Sequence, residues 1–496
     1  MFTRGLRRHA AVLLAALALV LAAAVSDVVR EPSDPESSPL IVNDIARLNP
    51  IAVSAAIVPT SIEEIVDAVK RSVSPISIGG ARHSMGGQIA TAGGLHIDMR
   101  HFDRILDFSP AQKTIRVQAG VRWRQIQERI DASDLSVAIM QSYANFTVGG
   151  SLSVNVHGRY VGLGPIISSV KSLTIVLADG SVVEASRLQN LDIFNGAIGG
   201  YGGIGVITEA TLELTPNVKL KRHDQTMPVA EYPRYFFDRV RSSPTVVFHN
   251  GDIYPSAYET VRAISYVATD EPVTVAERLR PEGASYRIDR LAFWVGSAWP
   301  FGKALRQYLV DPIRFRRNPV VWRNYEASYD AAALEPATRS ASTYVLAEYF
   351  VPVDRFNDFV PQMREVFQRY RVNVVNVSIR HAKQDPSSLL AWARAEVFAF
   401  VVYYKQGTTA AAREEVGRWS RELIDAALNA GGSYYLPYQL HATEEQFLRA
   451  YPRAREFFAL KQRLDPTNKF RNELWNKYYH PSTTRGGLDD GYLKSR

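Results

Sequence analysis

Ile76-Ser77-Ile78-Gly79-Gly80-Ala81-Arg82-His83-Ser84-Met85-Gly86-Gly87-Gln88 is a short β-like run that opens into a loop with four glycines, one arginine and one histidine. Glycine lets backbone N–H groups approach a ligand closely and adopts positive φ without a steric cost. Successive N–H groups of such a loop, with the Arg82 guanidinium beside them, make a nest for a pyrophosphate. The stretch lacks the Lys-Ser/Thr ending of a P-loop, which argues against an NTPase. His83 sets a nucleophilic imidazole inside this phosphate-type cradle.

Both flanks read as regular structure. Pro59-Thr60-Ser61-Ile62-Glu63-Glu64 starts a helix: Ser61 with Glu64, or Thr60 with Glu63, has capping-box spacing, and Ile62, Ile65, Val66 and Val69 form an apolar stripe. Downstream, 94–99, 105–108 and 114–119 read as strands and 123–132 as a helix. A second rich stretch follows, Thr147-Val148-Gly149-Gly150-Ser151-Leu152-Ser153-Val154-Asn155-Val156-His157-Gly158-Arg159. Paired glycines with small polar residues let backbone lie against a flat ring while polar atoms reach the ring's edge. The segments 172–177 and 182–185 read as a hairpin around Ala178-Asp179-Gly180-Ser181. Gly200-Tyr201-Gly202-Gly203-Ile204-Gly205 fits Gly-X-Gly-X-X-Gly, but a dinucleotide fingerprint must follow a strand and open a helix. Here 191–198 looks helical and 206–214 alternates like a strand, so nicotinamide-dinucleotide binding is rejected.

The first loop resembles the Gly-X-Gly-His-Ser-X-X-Gly-Gln loop of the vanillyl-alcohol-oxidase-type (PCMH-type) flavoproteins, which include cytokinin dehydrogenases and aldonolactone and alditol oxidases. The resemblance is strongest over 45–215. It implies FAD as cofactor, with Gly79, Gly80, Ala81, Arg82, His83, Ser84, Gly86 and Gln88 around it, and a covalent bond from His83 to the flavin 8α carbon. Gly-Gly-Ser-Leu-Ser at 149–153 resembles the flavin-contacting loop of the family, which adds Thr147, Gly149, Gly150, Ser153 and Asn155. The segment 202–208 resembles the Gly-Gly-X-Gly-X-Ile-Thr stretch laid along FAD, which adds Gly203 and Ile207. His157-Gly158-Arg159 is similar to the His-Gly-Lys of decaprenylphosphoryl-ribose oxidases and the Thr-His-Gly of sugar-lactone oxidases, which implies that His157 and Arg159 sit by the substrate.

From 218 to about 440 the composition shifts to aromatics and arginine. Alternating strands at 342–351, 373–380 and 396–404, with amphipathic helices at 353–370 and 409–430, read as an α+β domain with an antiparallel sheet. The resemblance makes this the substrate-binding cap. Where sugar-oxidising members carry Glu-X-Arg, this chain has Ser378-Ile379-Arg380, which keeps the arginine as a candidate for binding a substrate oxygen. Where some relatives carry an active-site lysine, Tyr434-Tyr435-Leu436-Pro437-Tyr438-Gln439 has none, and Tyr438 and Gln439 stand in its place. The run 461–472 resembles the family's C-terminal Lys-X-X-X-Asp-Pro-X-X-X-Phe signature, which closes the FAD domain and brings Asn472 to the cofactor. The stretch 301–329 interleaves arginines with aromatics; it suits a membrane surface, a lid over the site, or ordinary packing.

At 496 residues the chain is long enough for two or three domains. Its net charge of +8 is modest, and its arginines are scattered rather than blocked, which argues against nucleic acid as a partner. With no cysteine there are no disulfides and no thiolate metal sites; no metal is expected. Arg4, Arg7 and Arg8 precede an apolar run from Ala10 to Val25, which reads as a signal peptide or short anchor that would place the catalytic body outside the cytoplasm.

The expected organisation is therefore a leader or anchor at 1–30, a linker at 31–44, a two-subdomain PCMH-type FAD-binding domain at 45–217, an α+β cap at 218–440, a closing segment at 441–480 and a tail at 481–496. The expected reaction is oxidation of a CH–OH group on a carbohydrate, sugar lactone or polyol-like substrate by hydride transfer to flavin N5. His157 is the candidate base, Arg159 and Arg380 orient the substrate, and O2 or a quinone takes the electrons. Val156, where aldonolactone enzymes keep a small residue, tilts the expectation towards a quinone or another acceptor. Two alternatives stand beside this: a membrane-surface flavoenzyme acting on a lipid- or prenyl-linked substrate, and a non-catalytic flavin-binding module.

Overall fold

The computed structural model describes residues 38, 40–283, 294–299, 301–331 and 339–481. The expected leader or anchor at 1–30 and the tail beyond 481 lie outside them.

The glycine loop leaves a small parallel sheet. Strand β1 (Ala55–Ile57) leads to helix α1 (Ile62–Arg71), then to β2 (Ile76–Gly79) and β3 (Leu95–Asp98), in the spatial order β1-β3-β2. The start of α1 is capped as its sequence requires: the Ser61 hydroxyl accepts from Glu64 N at 3.2 Å, and the Glu64 carboxylate accepts from Thr60 N at 2.7 Å. Ile65 and Val69 of α1 are buried against Ile76, Ile97 and Phe102.

The second layer is antiparallel. Its members are β4 (Ile105–Ser109), β5 (Thr114–Gln118), β6 (Leu135–Val137), β7 (Val170–Val176), β8 (Val182–Ser186) and β9 (Val206–Pro216), ordered β8-β7-β9-β5-β4 with β6 on β9. Helix α2 (Trp123–Asp131) buries Trp123, Ile126 and Ile130. The stretch 147–159, expected as a loop, contains a short helix, α3 (Val148–Ser153). Val148 and Leu152 are wholly buried, and Gly149 packs so closely on β5's end that a Cβ there would lie 2.7 Å from the Ala119 Cβ. The Gly-X-Gly-X-X-Gly segment links helix α4 (Leu191–Ala197) to β9, the reverse of the dinucleotide-binding order.

An eight-stranded antiparallel sheet forms the third layer. It comprises β10 (Lys219–Pro228), β11 (Val246–Ile253), β12 (Thr260–Ala268), β13 (Val320–Trp322), β14 (Ser342–Pro352), β15 (Val374–Ala382), β16 (Val397–Gly407) and β17 (Ser433–Tyr434), ordered β13-β10-β12-β11-β15-β16-β14-β17. Helices α5 (Phe356–Arg369) and α6 (Ala410–Asn429) cover one face, where Tyr349 and Phe400 meet Phe359 and Tyr404 meets Trp419. Burying side chains such as Phe359, Met363 and Phe367 contributes roughly 1.5–3 kcal/mol each as an upper bound. Side chains alternate across a strand, so Tyr344, Leu346 and Glu348 of β14 and Val401 and Tyr403 of β16 point the other way, into a cavity.

The C-terminal segment, with α7 (Glu444–Ala450), α8 (Ala454–Leu464) and α9 (Glu473–Tyr478), returns to the first sheet. Ile76 N donates to Lys469 O at 2.7 Å, and Arg471 N donates to Ile76 O at 2.8 Å. The wholly buried Lys461 ammonium donates to Gly203 O (2.7 Å), Asp465 Oδ2 (2.9 Å) and Phe470 O (2.9 Å).

Candidate active site

One long cavity runs between the glycine loop, α3 and the free face of the eight-stranded sheet. At the loop, Arg82 takes φ 60°, and its Nη2 donates to Asp98 Oδ2 at 3.0 Å. Burial would raise the Asp98 pKa, but hydrogen bonds and charge from Arg100 win and hold it below its ordinary value. Asp44 braces the loop from behind through Gly87 N (3.4 Å) and Asn49 Nδ2 (2.8 Å), and burial pushes its pKa up to about 6.

His83 lies flat on Phe146, ring centroids 3.9 Å apart and planes 10° from parallel. Its Nε2 is 3.3 Å from Asn145 Nδ2, while its buried Nδ1 has no hydrogen-bond partner among the described residues. Burial drives its pKa down to about 3, so the imidazole is neutral and nucleophilic at physiological pH.

The opposite wall carries a different group of side chains. His157 Nε2 stands 2.5 Å from Glu348 Oε1, both side chains almost fully buried, and His157 Nδ1 is 3.3 Å from Gly158 O. The Tyr438 hydroxyl donates to Glu348 Oε2 at 3.3 Å. Burial, reinforced by the Glu348 charge, raises the Tyr438 pKa well above its ordinary value and keeps the phenol protonated. Arg380 joins this wall from β15, and its buried Nε has no partner among the described residues.

Most residues expected at the cofactor or substrate line this cavity: Gly80, Ala81, Arg82, His83, Ser84, Gln88, Thr147, Gly149, Gly150, Ser153, Ile207 and Asn472, with His157 and Arg380. Four stand behind the wall. Gly79 faces His96, Gly86 faces Tyr438 O, Gly203 packs on Trp475, and Asn155 donates through Nδ2 to Asp385 (2.8 Å) and Ser388 (3.0 Å). Arg159 turns away from the cavity lining: it pairs with Glu326 at 2.8 Å and sits among the rings of Phe248, Tyr266 and Tyr329. Gln439, a stand-in for the missing lysine, donates to Met85 O, while its neighbour Tyr438 reaches the cavity. Sequence reasoning missed Glu348, Tyr344 and Tyr403. They are ordinary members of alternating strands, and only pairing with segments nearly two hundred residues away gives Glu348 its histidine.

The lining suits FAD. The backbone N–H groups of Arg82, His83 and Ser84 have no partner among the described residues, which leaves donors for a pyrophosphate. Ser142 Oγ, on the same wall, is likewise buried and unpartnered. The two glycine segments meet at contact distance: a Cβ on Gly80 would fall 2.2 Å from Thr147 Oγ1.

Comparison with known proteins agrees with this geometry. A family model described as an FAD binding domain matches residues 53–186, and one described as D-arabinono-1,4-lactone oxidase matches residues 210–478. The alditol oxidase of a Streptomyces species is 32% identical over 167 residues, which are 33% of this chain and 40% of that protein. Cytokinin dehydrogenase 3 of Arabidopsis thaliana is 29% identical over 180 residues, 34% of each chain. The match to L-gulonolactone oxidase of Bos taurus is weaker in identity, 22% over 448 residues, but spans 85% of this chain and 94% of that protein. The chain thus matches less than half the length of the first two relatives and nearly all of the third. Its FAD cradle, its antiparallel cap sheet and a match over more than half of its residues show that the chain belongs to the D-arabinono-1,4-lactone oxidase family of FAD-dependent oxidoreductases.

Proposed function

We propose that the protein oxidises a CH–OH group of a sugar-lactone or polyol-like small molecule. The observation that carries this reading is the buried His157–Glu348 pair, with Tyr438 and Arg380 beside it, in the same cavity as the FAD cradle. Bound FAD supplies the acceptor for the hydride that leaves the carbinol carbon. The hydroxyl proton passes to the pair. His157 does not act alone, because its Nε2 already faces Glu348; the carboxylate holds the imidazole and shares the incoming proton. Arg380, on the cavity wall, offers its guanidinium to a substrate oxygen and steadies negative charge as the carbonyl forms. The Tyr438 phenol, held protonated, donates to Glu348 and limits how far that carboxylate can turn.

The relatives' printed names, alditol oxidase and L-gulonolactone oxidase, support a sugar-derived alcohol. The same names favour O2 as the electron acceptor, whereas Val156, a β-branched residue on the cavity wall where aldonolactone enzymes keep a small one, favours a quinone or another acceptor. Anaerobic reduction followed by aeration separates them: reoxidation as fast as turnover means O2.

The test is a screen of aldonolactones and polyols with an artificial electron acceptor, on the wild type and on His157→Ala and Glu348→Gln. Both substitutions should lower kcat by ~10²–10⁴-fold with FAD retained. Full turnover in both variants would remove the proposed base.

A further inference from the structure

The helical segment 302–314 is amphipathic in the inverse sense. Two of its charged side chains, Arg306 and Asp311, point inward. Asp311 is buried and accepts from the Tyr254 hydroxyl at 2.9 Å, and Arg306 Nε lies 3.4 Å from the same carboxylate. Arg306 also donates to Val375 O and Asn376 Oδ1, each at 3.1 Å. Its apolar side chains point outward: Phe301 is 79% exposed, Tyr308 74%, Ile313 54% and Leu309 53%. A surface helix ordinarily does the opposite. Elsewhere among the described residues large exposed apolar side chains are mostly isolated, as at Val73, Leu106 and Leu163; here they are contiguous, and contiguous apolar patches mark contact surfaces.

The rim supplies the second clue. Arg314, Arg316 and Arg317 follow directly, all exposed, and none forms an ion pair among the described residues. An exposed apolar ridge bordered by exposed cations complements a bilayer with anionic headgroups: the rings and aliphatic chains enter the interface while the guanidiniums hold phosphates. The chain's own N-terminal sequence, three arginines ahead of an apolar run, suits the same kind of surface. The turn before the ridge joins it to the site: Gly302 N donates to Trp299 O at 3.1 Å, and Ser297 Oγ of that turn and the hydroxyl of the cavity-lining Tyr344 are 2.8 Å apart.

We propose that the segment around 301–317 is a docking surface for a lipid bilayer carrying anionic headgroups, with Phe301, Tyr308, Leu309 and Ile313 entering the interface. The docking surface brings the cavity wall at Tyr344 next to the bilayer.

The absence of native cysteine makes the test direct. Leu309→Cys in the full-length, flavin-loaded chain carries a polarity-sensitive fluorophore, and Leu188→Cys, at a 99% exposed position, serves as control. Phosphatidylcholine vesicles with phosphatidylglycerol should shift the label at 309 to the blue and allow quenching by lipid-borne nitroxides. Vesicles of phosphatidylcholine alone should do so less, and the label at 188 should stay water-like. Replacing Arg314, Arg316 and Arg317 by Gln should abolish the difference between the two vesicle types. A water-like label at 309 while the protein sediments with vesicles would overturn the proposal, since the N-terminus alone would then hold the membrane. A blue shift without vesicles that grows with protein concentration would overturn it in favour of a second copy of the chain. Ile313→Cys is the second position if the first variant fails to hold flavin.

Discussion

His83 shows how much one side chain can carry. It stacks on Phe146, burial keeps it neutral, and its buried Nδ1 has no partner among the described residues. A buried nitrogen without a hydrogen bond is costly unless something else bonds to it, which supports the proposed covalent link to FAD. Acid-precipitated protein on a denaturing gel should show flavin fluorescence in its band, and His83→Ala should lose it. A fluorescent band in the variant would move the link to another residue; a dark band in the wild type would leave His83 as a packing residue of a noncovalent site. Arg159 teaches the opposite lesson. Its motif position points to the substrate, but Glu326 holds it among aromatic rings away from the cavity lining.

At the scale of elements, the C-terminal return secures the cofactor half. Lys461, on α8, satisfies three buried acceptors, two on its own C-terminal segment and one at Gly203, and Asp465 in turn accepts from Lys469 N (2.6 Å) and Phe470 N (2.9 Å). The Lys-X-X-X-Asp-Pro pattern is thus one hydrogen-bonded knot beside the Gly203 turn. Lys461→Met would leave a buried carboxylate without its counter-charge and two carbonyls unpaired, and should cost ~3–5 kcal/mol, read by denaturant unfolding. Replacing Asp465 by Asn in the same chain should restore part of the loss, because the uncompensated charge is then gone. A loss below about 1 kcal/mol for Lys461→Met would show that the knot is dispensable.

Across the whole molecule, buried histidines set the response to acid. Burial lowers His249 to about 3 and both His96 and His441 to about 4, all below the ordinary 6.5. Between those values and 6.5 the unfolded chain binds more protons than the folded one, so stability is full above 6.5 and is lost as pH falls. Asp44 has the opposite sign: raised to about 6, it contributes stability at low pH that is lost as pH rises through that value. With His83 also lowered to about 3, four histidines outweigh Asp44, so the thermal midpoint should drop steadily from pH 6.5 to pH 4. A flat or rising midpoint on acidification would contradict this balance.

Local pattern was enough to place the FAD cradle. The glycine loop, the capped helix before it and the C-terminal signature are short-range features whose chemistry is written in neighbouring residues, and the period-two rhythm of 342–351 and 396–404 announced strands. Local pattern also separated the segment 200–205 from a nicotinamide site, because the order of helix and strand around it is visible in one dimension. It did not reveal which face of β14 meets the cavity, so Glu348 carried no signal until β14 paired with β16 and came opposite His157. The same holds for Arg159 and Asn155, whose partners lie on the distant segments around Glu326 and Asp385. Sequence alone determined the cofactor and the class of fold, because these rest on local backbone geometry. Only the tertiary structure decided which charged side chains share the site, because long-range strand pairing sets distances between residues that no spacing along the chain encodes.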